Sequence, residues 1–357
     1  MTQLKEIKYL LVLSVSMFFV SSLSAQQLSQ YTQYVINEYS INPALSGIEN
    51  YTDVKIGHRI QWVGLNGAPV TTYLTIQGPI GKQDYKTNAT TLFPAVDGDN
   101  PRGKQYWDDY TASPAHHGIG LQISNDAIGP FNTVSVFGTY AYHLPLSART
   151  NLSAGIAMGA TKVSIDASKT NFVGGSTTVA VDPAVYTSGE IGKTNFNMNA
   201  GLWLYSANYF VGLAAQQLLP QAINFSNPNQ PITVTAGQPG KAVPHFFTTA
   251  GYRFLLTEDL NVMPSIMVIT VSPVPSQVDL NVKVTYRDNF WFGGTYRGAY
   301  GFAAFAGFNA LRLFSLSYSY DYSTTPINTV SSGTHELILG FILGNKYSDN
   351  TCPRNVW

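Results

Sequence analysis

Residues 314–323 read FSLSYSYDYS. Successive side chains of a strand point to opposite faces. Phe314, Leu316, Tyr318, Tyr320 and Tyr322 therefore share one face, and Ser315, Ser317, Ser319, Asp321 and Ser323 share the other. The same period recurs in residues 278–287 (VDLNVKVTYR), where Val278, Leu280, Val282, Val284 and Tyr286 oppose Asp279, Asn281, Lys283, Thr285 and Arg287. In residues 195–204 (NFNMNAGLWL), Phe196, Met198, Leu202 and Leu204 oppose Asn195, Asn197 and Asn199. An apolar face with tyrosine near one end and a polar opposite face is the pattern of a transmembrane β-barrel strand, with lipid outside and a wet or filled lumen. A soluble β-sandwich also alternates, but its outer face carries far more Lys and Glu. Here charged residues make up only 11% of 357, against 13% aromatics led by 22 Tyr and 19 Phe.

Fourteen segments follow this pattern: 51–60, 70–79, 116–125, 131–143, 150–163, 194–205, 208–218, 245–256, 259–270, 277–287, 290–299, 301–310, 313–323 and 335–344. They predict an all-β, 14-stranded antiparallel transmembrane barrel of the outer membrane. Such barrels have short periplasmic turns and longer outer loops. With a periplasmic N-terminus, the even-to-odd connections are short at 144–149, 206–207, 257–258, 288–289 and 311–312. The odd-to-even ones at 164–193, 219–244, 271–276 and 324–334 are longer. Residues 81–115 break the rule, as a periplasmic insertion or a missed hairpin.

Composition excludes other classes. Twenty basic residues balance twenty acidic ones, so no basic excess points to nucleic acid. A 45% hydrophobic chain is not disordered. The single cysteine, Cys352, makes no internal bridge. Lys5 and Lys8, the apolar stretch 9–20 and the small-residue exit 21–25 (SSLSA) read as a signal peptide cut after Ala25. The chain divides into signal peptide (1–25), an N-terminal periplasmic or plug segment (26–50), the barrel (51–345) and a tail (346–357).

No catalytic constellation is expected. His116 and His117 are adjacent and face opposite ways on a strand. GIAMGATK at 155–162 lacks the Gly-Lys pair of a phosphate loop, and its glycines relieve crowding within a strand. Asp97, Asp99, Asp108 and Asp109 read as a solvated acidic loop, with calcium the sharper alternative. Lys283, Arg287 and Asp321 are lumen charges that tune solute passage or pair with each other. The chain is read as a non-enzyme without cofactor or metal.

Several strings resemble the PorP/SprF family of type IX secretion membrane proteins. Residues 29–47 (SQYTQYVINEYSINPALSG) are similar to the family's opening, with Asn42, Pro43 and Gly47 in place. Residues 59–69 (RIQWVGLNGAP) resemble its R-x-Q-W-x-G-x-x-G-A-P loop through Arg59, Trp62, Gly64, Gly67 and Pro69. Residues 118–129 (GIGLQISNDAIG) resemble a family hairpin carrying Asn125, Asp126 and Gly129. Residues 319–322 (SYDY), 333–339 (GTHELIL, with His335 and Glu336) and 352–354 (Cys-Pro-Arg) complete the likeness. Tyr106 and Trp107 are candidate docking residues within 81–115. These residues build loops and turns, or contact a partner. The resemblance implies an outer-membrane accessory of type IX secretion and gliding motility in Bacteroidota. Its implied partners are a secreted cargo or adhesin with a C-terminal sorting domain, other secretion components including periplasmic lipoproteins, and outer-membrane lipid. The alternative function is a passive diffusion porin. Bulky inward Trp203 and Trp291 and the long stretch ahead of the first strand point to a filled bore; an exported β-sandwich is the third reading.

Overall fold

The computed structural model describes residues 31–82, 108, 110–166, 190–220, 222–223, 240–287, 289–298, 300–310 and 313–344. The strands are β1 (Thr52–Ile60), β2 (Val70–Ile80), β3 (His116–Ile128), β4 (Phe131–Ser147), β5 (Thr150–Asp166), β6 (Glu190–Ser206) and β7 (Tyr209–Gln216). Then come β8 (His245–Tyr252, resumed as Phe254–Leu255 after Arg253), β9 (Leu260–Val271), β10 (Val274–Tyr286), β11 (Phe290–Arg297), β12 (Gly301–Ala310), β13 (Phe314–Ser323) and β14 (Thr334–Leu343). Each pairs antiparallel with its sequence neighbours, and β1 pairs with β14, which closes a 14-stranded barrel. Closure satisfies every ladder, the condition for spanning hydrocarbon with strands. Ala222–Ile223 and Gly240–Lys241 form a separate two-stranded sheet.

The predicted faces are the observed ones. Tyr318, Tyr320 and Tyr322 are exposed on the outer wall while Ser315, Ser317 and Ser319 are buried inside. In β10, Leu280 and Val282 face out, and Asp279 and Asn281 are buried. Aromatic side chains ring both rims. Tyr296, Tyr300, Phe302, Tyr320 and Tyr322 lie toward one mouth, and Tyr142, Tyr252, Phe254, Tyr286 and Phe290 toward the other. These are the interfacial girdles of a membrane barrel.

The two mouths differ. At the terminal mouth β1 begins and β14 ends, and the turns at 148–149, 207–208, 256–259 and 287–289 are tight. At the loop mouth β1, β5, β7 and β13 end, and the sequence from each to the next strand is longer (61–69, 167–189, 217–244 and 324–333), beside the short turns 129–130 and 272–273. Short turns mark the periplasmic side, so the loop mouth faces outward. Three expectations change. The outer loop expected at 271–276 is only Ser272-Pro273, because Val271 pairs with Val274 and the polar residues beyond stay in the ladder. Asn125 and Asp126 lie inside β3, and the turn is Gly129-Pro130. In both places polar side chains extend a strand past the apolar band, since ladder bonds persist in water. Arg287 is not in the lumen: it sits in the turn after β10 and pairs with Asp259 at 3.0 Å. The signal peptide, most of 81–115 and the tail with Cys352 lie outside the described residues.

The bore is filled. Residues 31–50 run through it as three single turns of 3-10 helix, Tyr34–Ile36, Glu38–Ser40 and Pro43–Leu45. Tyr34, Val35, Tyr39, Ala44, Leu45 and Ile48 are buried against inward Trp203, Phe210, Met263, Trp291 and Phe305. The hydrophobic core of the protein is therefore inside the barrel, between the wall and its plug.

Candidate functional site

At the loop mouth the plug is held by charge. Arg59 on β1 and Glu336 on β14 are direct cross-strand partners, 3.5 Å apart and both almost wholly buried. Arg59 also pairs with Asp321 at 3.4 Å. Arg297 reaches Asp321 at 3.3 Å and Asp279 at 3.5 Å. The plug uses the acceptors of this cluster. The Thr32 and Gln33 backbone N–H groups donate to Glu336 Oε2 at 2.7 and 3.3 Å, and Tyr73 OH donates to Oε1 at 2.9 Å. Thr32 Oγ1 donates to Asp321 at 2.6 Å, Arg297 donates to Tyr31 O at 2.8 Å, and Arg59 donates to Thr32 Oγ1. Charges this deep are tolerable only when paired and hydrogen-bonded. The cluster meets that condition by including plug backbone.

Deeper in the lumen the plug is held by shape. Asn42 caps the Pro43–Leu45 turn: its Oδ1 accepts from Ala44 N at 3.0 Å, with proline first in the turn. Its Nδ2 donates to Leu202 O at 3.1 Å and Leu213 O at 3.2 Å, on β6 and β7. Asn42 can come this close because the wall is glycine there. A Cβ at Gly201 would stand 1.9 Å from Asn42 Oδ1, and one at Gly155 would stand 2.5 Å from Ala44 Cα. Ser153 Oγ donates to Ala44 O at 2.6 Å. Gly47 (φ +77°) lies against Gly118, where its own Cβ would be 2.5 Å from the Gly118 Cα, and its N–H donates to Gln77 Oε1 at 2.6 Å. His143 Nε2 donates to Ser46 O at 2.8 Å and its Nδ1 accepts from Tyr205 OH at 2.9 Å. His116 stacks on it at 4.4 Å, with Nε2 3.2 Å from Gly47 O.

The Trp62 loop closes the outer rim. Trp62 N donates to Thr334 Oγ1 at 3.1 Å, Val63 N to Gly333 O at 2.8 Å, and Gln61 N to Pro69 O at 2.9 Å. Gly129 N donates to Gly67 O at 2.9 Å. Gly67 has φ +74° and would place a Cβ 3.2 Å from the Gly129 Cα, so the two turns interlock through glycine. Gly64 also has positive φ, at +103°. Asp126 accepts from Thr71 Oγ1 at 2.5 Å.

Of the predicted site residues, Asn42, Pro43, Gly47, Arg59 and Glu336 meet at the plug, and Trp62, Gly64, Gly67, Pro69 and Gly129 at the rim. Asn125 is exposed. His335 sits on the outer wall with Nδ1 2.6 Å from Tyr318 OH, back to back with Glu336. Tyr106 and Trp107 lie outside the described residues. Sequence reasoning missed Gly155, Gly201 and Gly118 as the seat, and Gln77, His143 and Arg297 as its clasps. A small cavity of about 80 Å³ remains beside the plug, lined by Glu38, Lys55, Lys283 and Trp291 among others. Among the described residues no three His, Cys, Asp or Glu side chains gather as metal ligands. The arrangement is built to hold a peptide segment in place.

The family model described as type IX secretion system membrane protein PorP/SprF matches residues 23–341. No curated protein matches the sequence. Among solved structures, the chain is similar to the CymD monoaromatic hydrocarbon channel (11% identity, 90% of this chain and 94% of that one, TM-score 0.44). It is also similar to the Ralstonia pickettii toluene transporter TbuX (9%, 87% and 92%, 0.46) and to the Acinetobacter baumannii outer membrane protein Omp33 (10%, 84% and 100%, 0.42).

Proposed function

The chain belongs to the PorP/SprF family of type IX secretion system membrane proteins, and from that premise we propose that it is a non-catalytic outer-membrane accessory that docks an exported partner at its loop mouth. The partner is a cargo or adhesin with a C-terminal sorting domain, served in secretion and gliding. Periplasmic components of the same system are its contacts on the terminal side. One observation carries the reading: the bore is occupied by residues 31–50, which are buried along almost their whole length. A diffusion porin needs an open bore. A barrel stoppered by its own chain is suited instead to present a fixed surface. The interlocked rim of Trp62, Gly67 and Gly129 supports this, since loops positioned by a rigid scaffold are where binding sits.

The test is purification from native outer membranes with the rim intact or altered. The wild type is expected to co-purify an exported multidomain protein and to show little steady conductance in bilayers. Val330→Arg, at an exposed rim position, is expected to lose the partner while the barrel keeps its heat-modifiable migration. Large stable channels without a partner would overturn the reading.

A further inference from the structure

The outer wall is not an even cylinder. Between β4 and β8 it carries a hollow of about 690 Å³, within the range of about 300–1,000 Å³ in which small-molecule sites fall. Its floor is Ala154, Ala200 and Ala215 on β5, β6 and β7, and Tyr140, Tyr142 and Phe246 stand at its sides. The ladder explains the shape. Ala200 and Ala215 lie side by side in one cross-strand row, between Ile156 and Phe246. Ala154 lies in the next row, between Tyr142 and Leu202, about 7 Å nearer the terminal mouth. Methyl groups thus stand where their neighbours are large. The inward residues beside them are Gly155 and Gly201, which seat the plug, so the wall is thin on both faces.

The occupant follows from where the hollow lies. It opens on the hydrocarbon side of the wall, with Leu202 and Phe246 exposed beside it, and small residues let an apolar chain approach the backbone closely. It does not run the height of the membrane. Met158 and Phe196 stand out from the wall just beyond it toward the loop mouth, at 57% and 73% exposure. A spanning helix packs along about 30 Å of hydrocarbon, whereas the tail of one lipid ends within one leaflet. The other end of the hollow is polar. Tyr142 belongs to the terminal-mouth girdle, and the exposed His117 is its cross-strand partner, with ring centroids 5.1 Å apart. Tyr140 OH lies 2.7 Å from His117 Nδ1. With that hydroxyl donating, His117 Nε2 carries the proton and is the donor for an anionic headgroup. We propose that the hollow seats one phospholipid of the periplasmic leaflet, its acyl chain against Ala154, Ala200 and Ala215 and its phosphate at His117 and Tyr142. This rests on the barrel and its girdles and not on the docking of an exported partner.

Native mass spectrometry of the detergent-purified full chain, titrated with phosphatidylethanolamine, tests it. The wild type is expected to retain one phospholipid at least about tenfold more tightly than any further one, a step of about 1.4 kcal/mol. Ala200→Phe fills the hollow and is expected to abolish that preference while the barrel keeps its heat-modifiable migration. Ala304→Phe, at an exposed outer position on β12, is expected to keep it. His117→Ala is expected to weaken phospholipid retention about tenfold, the worth of one hydrogen bond, and to leave retention of diacylglycerol, which has no phosphate, unchanged. Equal weakening of both would overturn the headgroup contact. No preferred lipid on the wild type, or an undiminished preference in Ala200→Phe, would overturn the seat. Should Ala200→Phe fail to insert, Thr248→Phe fills the same hollow from β8. A photoreactive benzophenone side chain at Leu213, in native outer membranes, separates the occupants: a lipid adduct is expected, and a polypeptide adduct would show that another membrane protein covers this face and overturn the proposal.

Discussion

Replacing Glu336 with leucine separates the electrostatic hold on the plug from the steric one. The substitution removes the acceptor of Thr32 N at 2.7 Å, Gln33 N at 3.3 Å and Tyr73 OH at 2.9 Å, and leaves Arg59 with Asp321 at 3.4 Å and Thr32 Oγ1. Each orphaned buried donor costs about 1–3 kcal/mol. Breaking a buried, hydrogen-bonded charge pair costs about 3–5 kcal/mol in total. At about 1.4 kcal/mol per tenfold, local opening at the loop mouth becomes roughly a hundred- to several-thousand-fold more frequent. Hydrogen exchange with mass spectrometry on detergent-purified protein reads this directly. Peptides covering residues 31–36 are expected to lose protection by that factor. Those covering 42–47 keep theirs, because Asn42 and Gly47 are held by β3, β5, β6 and β7 and not by Glu336. Glu336→Gln retains an acceptor oxygen and is expected to fall between wild type and leucine. Unchanged protection at Thr32 and Gln33 in a folded barrel, or an equal loss at both ends of the plug, would refute the reasoning.

Other expectations follow from the same geometry. Gly201→Val drives a side chain into Asn42 and is expected to destabilise by more than the usual 1–3 kcal/mol of overpacking, seen as a lower melting temperature. Gly138→Ala meets nothing nearer than 4.0 Å and should melt like wild type. Deleting residues 31–50 is expected to produce steady conductance and a lower melting temperature, since it removes seven of the sixteen buried residues of the interior core; a closed deletion variant would mean that something else occludes the bore.

The strands were legible because lipid imposes a period of two, and β10 and β13 carry it almost without exception. The ends were less so. β4, β5 and β6 each run 17 residues, past the apolar band and into water, where alternation loses its meaning. Asp321 reads correctly as a lumen charge, but Arg59 reads as part of a loop string. Nothing local reveals that residues 262 apart share an ion pair. The seat was hidden for a related reason. A glycine within a strand announces that some backbone comes near, yet Gly155 and Gly201 do not say which. The answer lies more than a hundred residues upstream, in Asn42 and Ala44. The two strings of the family likeness with the least apparent kinship, INPALSG and GIGLQ, turn out to be the two surfaces of one joint.

The ion pair between Arg59 and Glu336 spans the place where the first strand meets the last. One carboxylate on that seam holds the first strand through Arg59 and the channel-filling peptide through Thr32, so the suture of the cylinder and its cork share a single fastening.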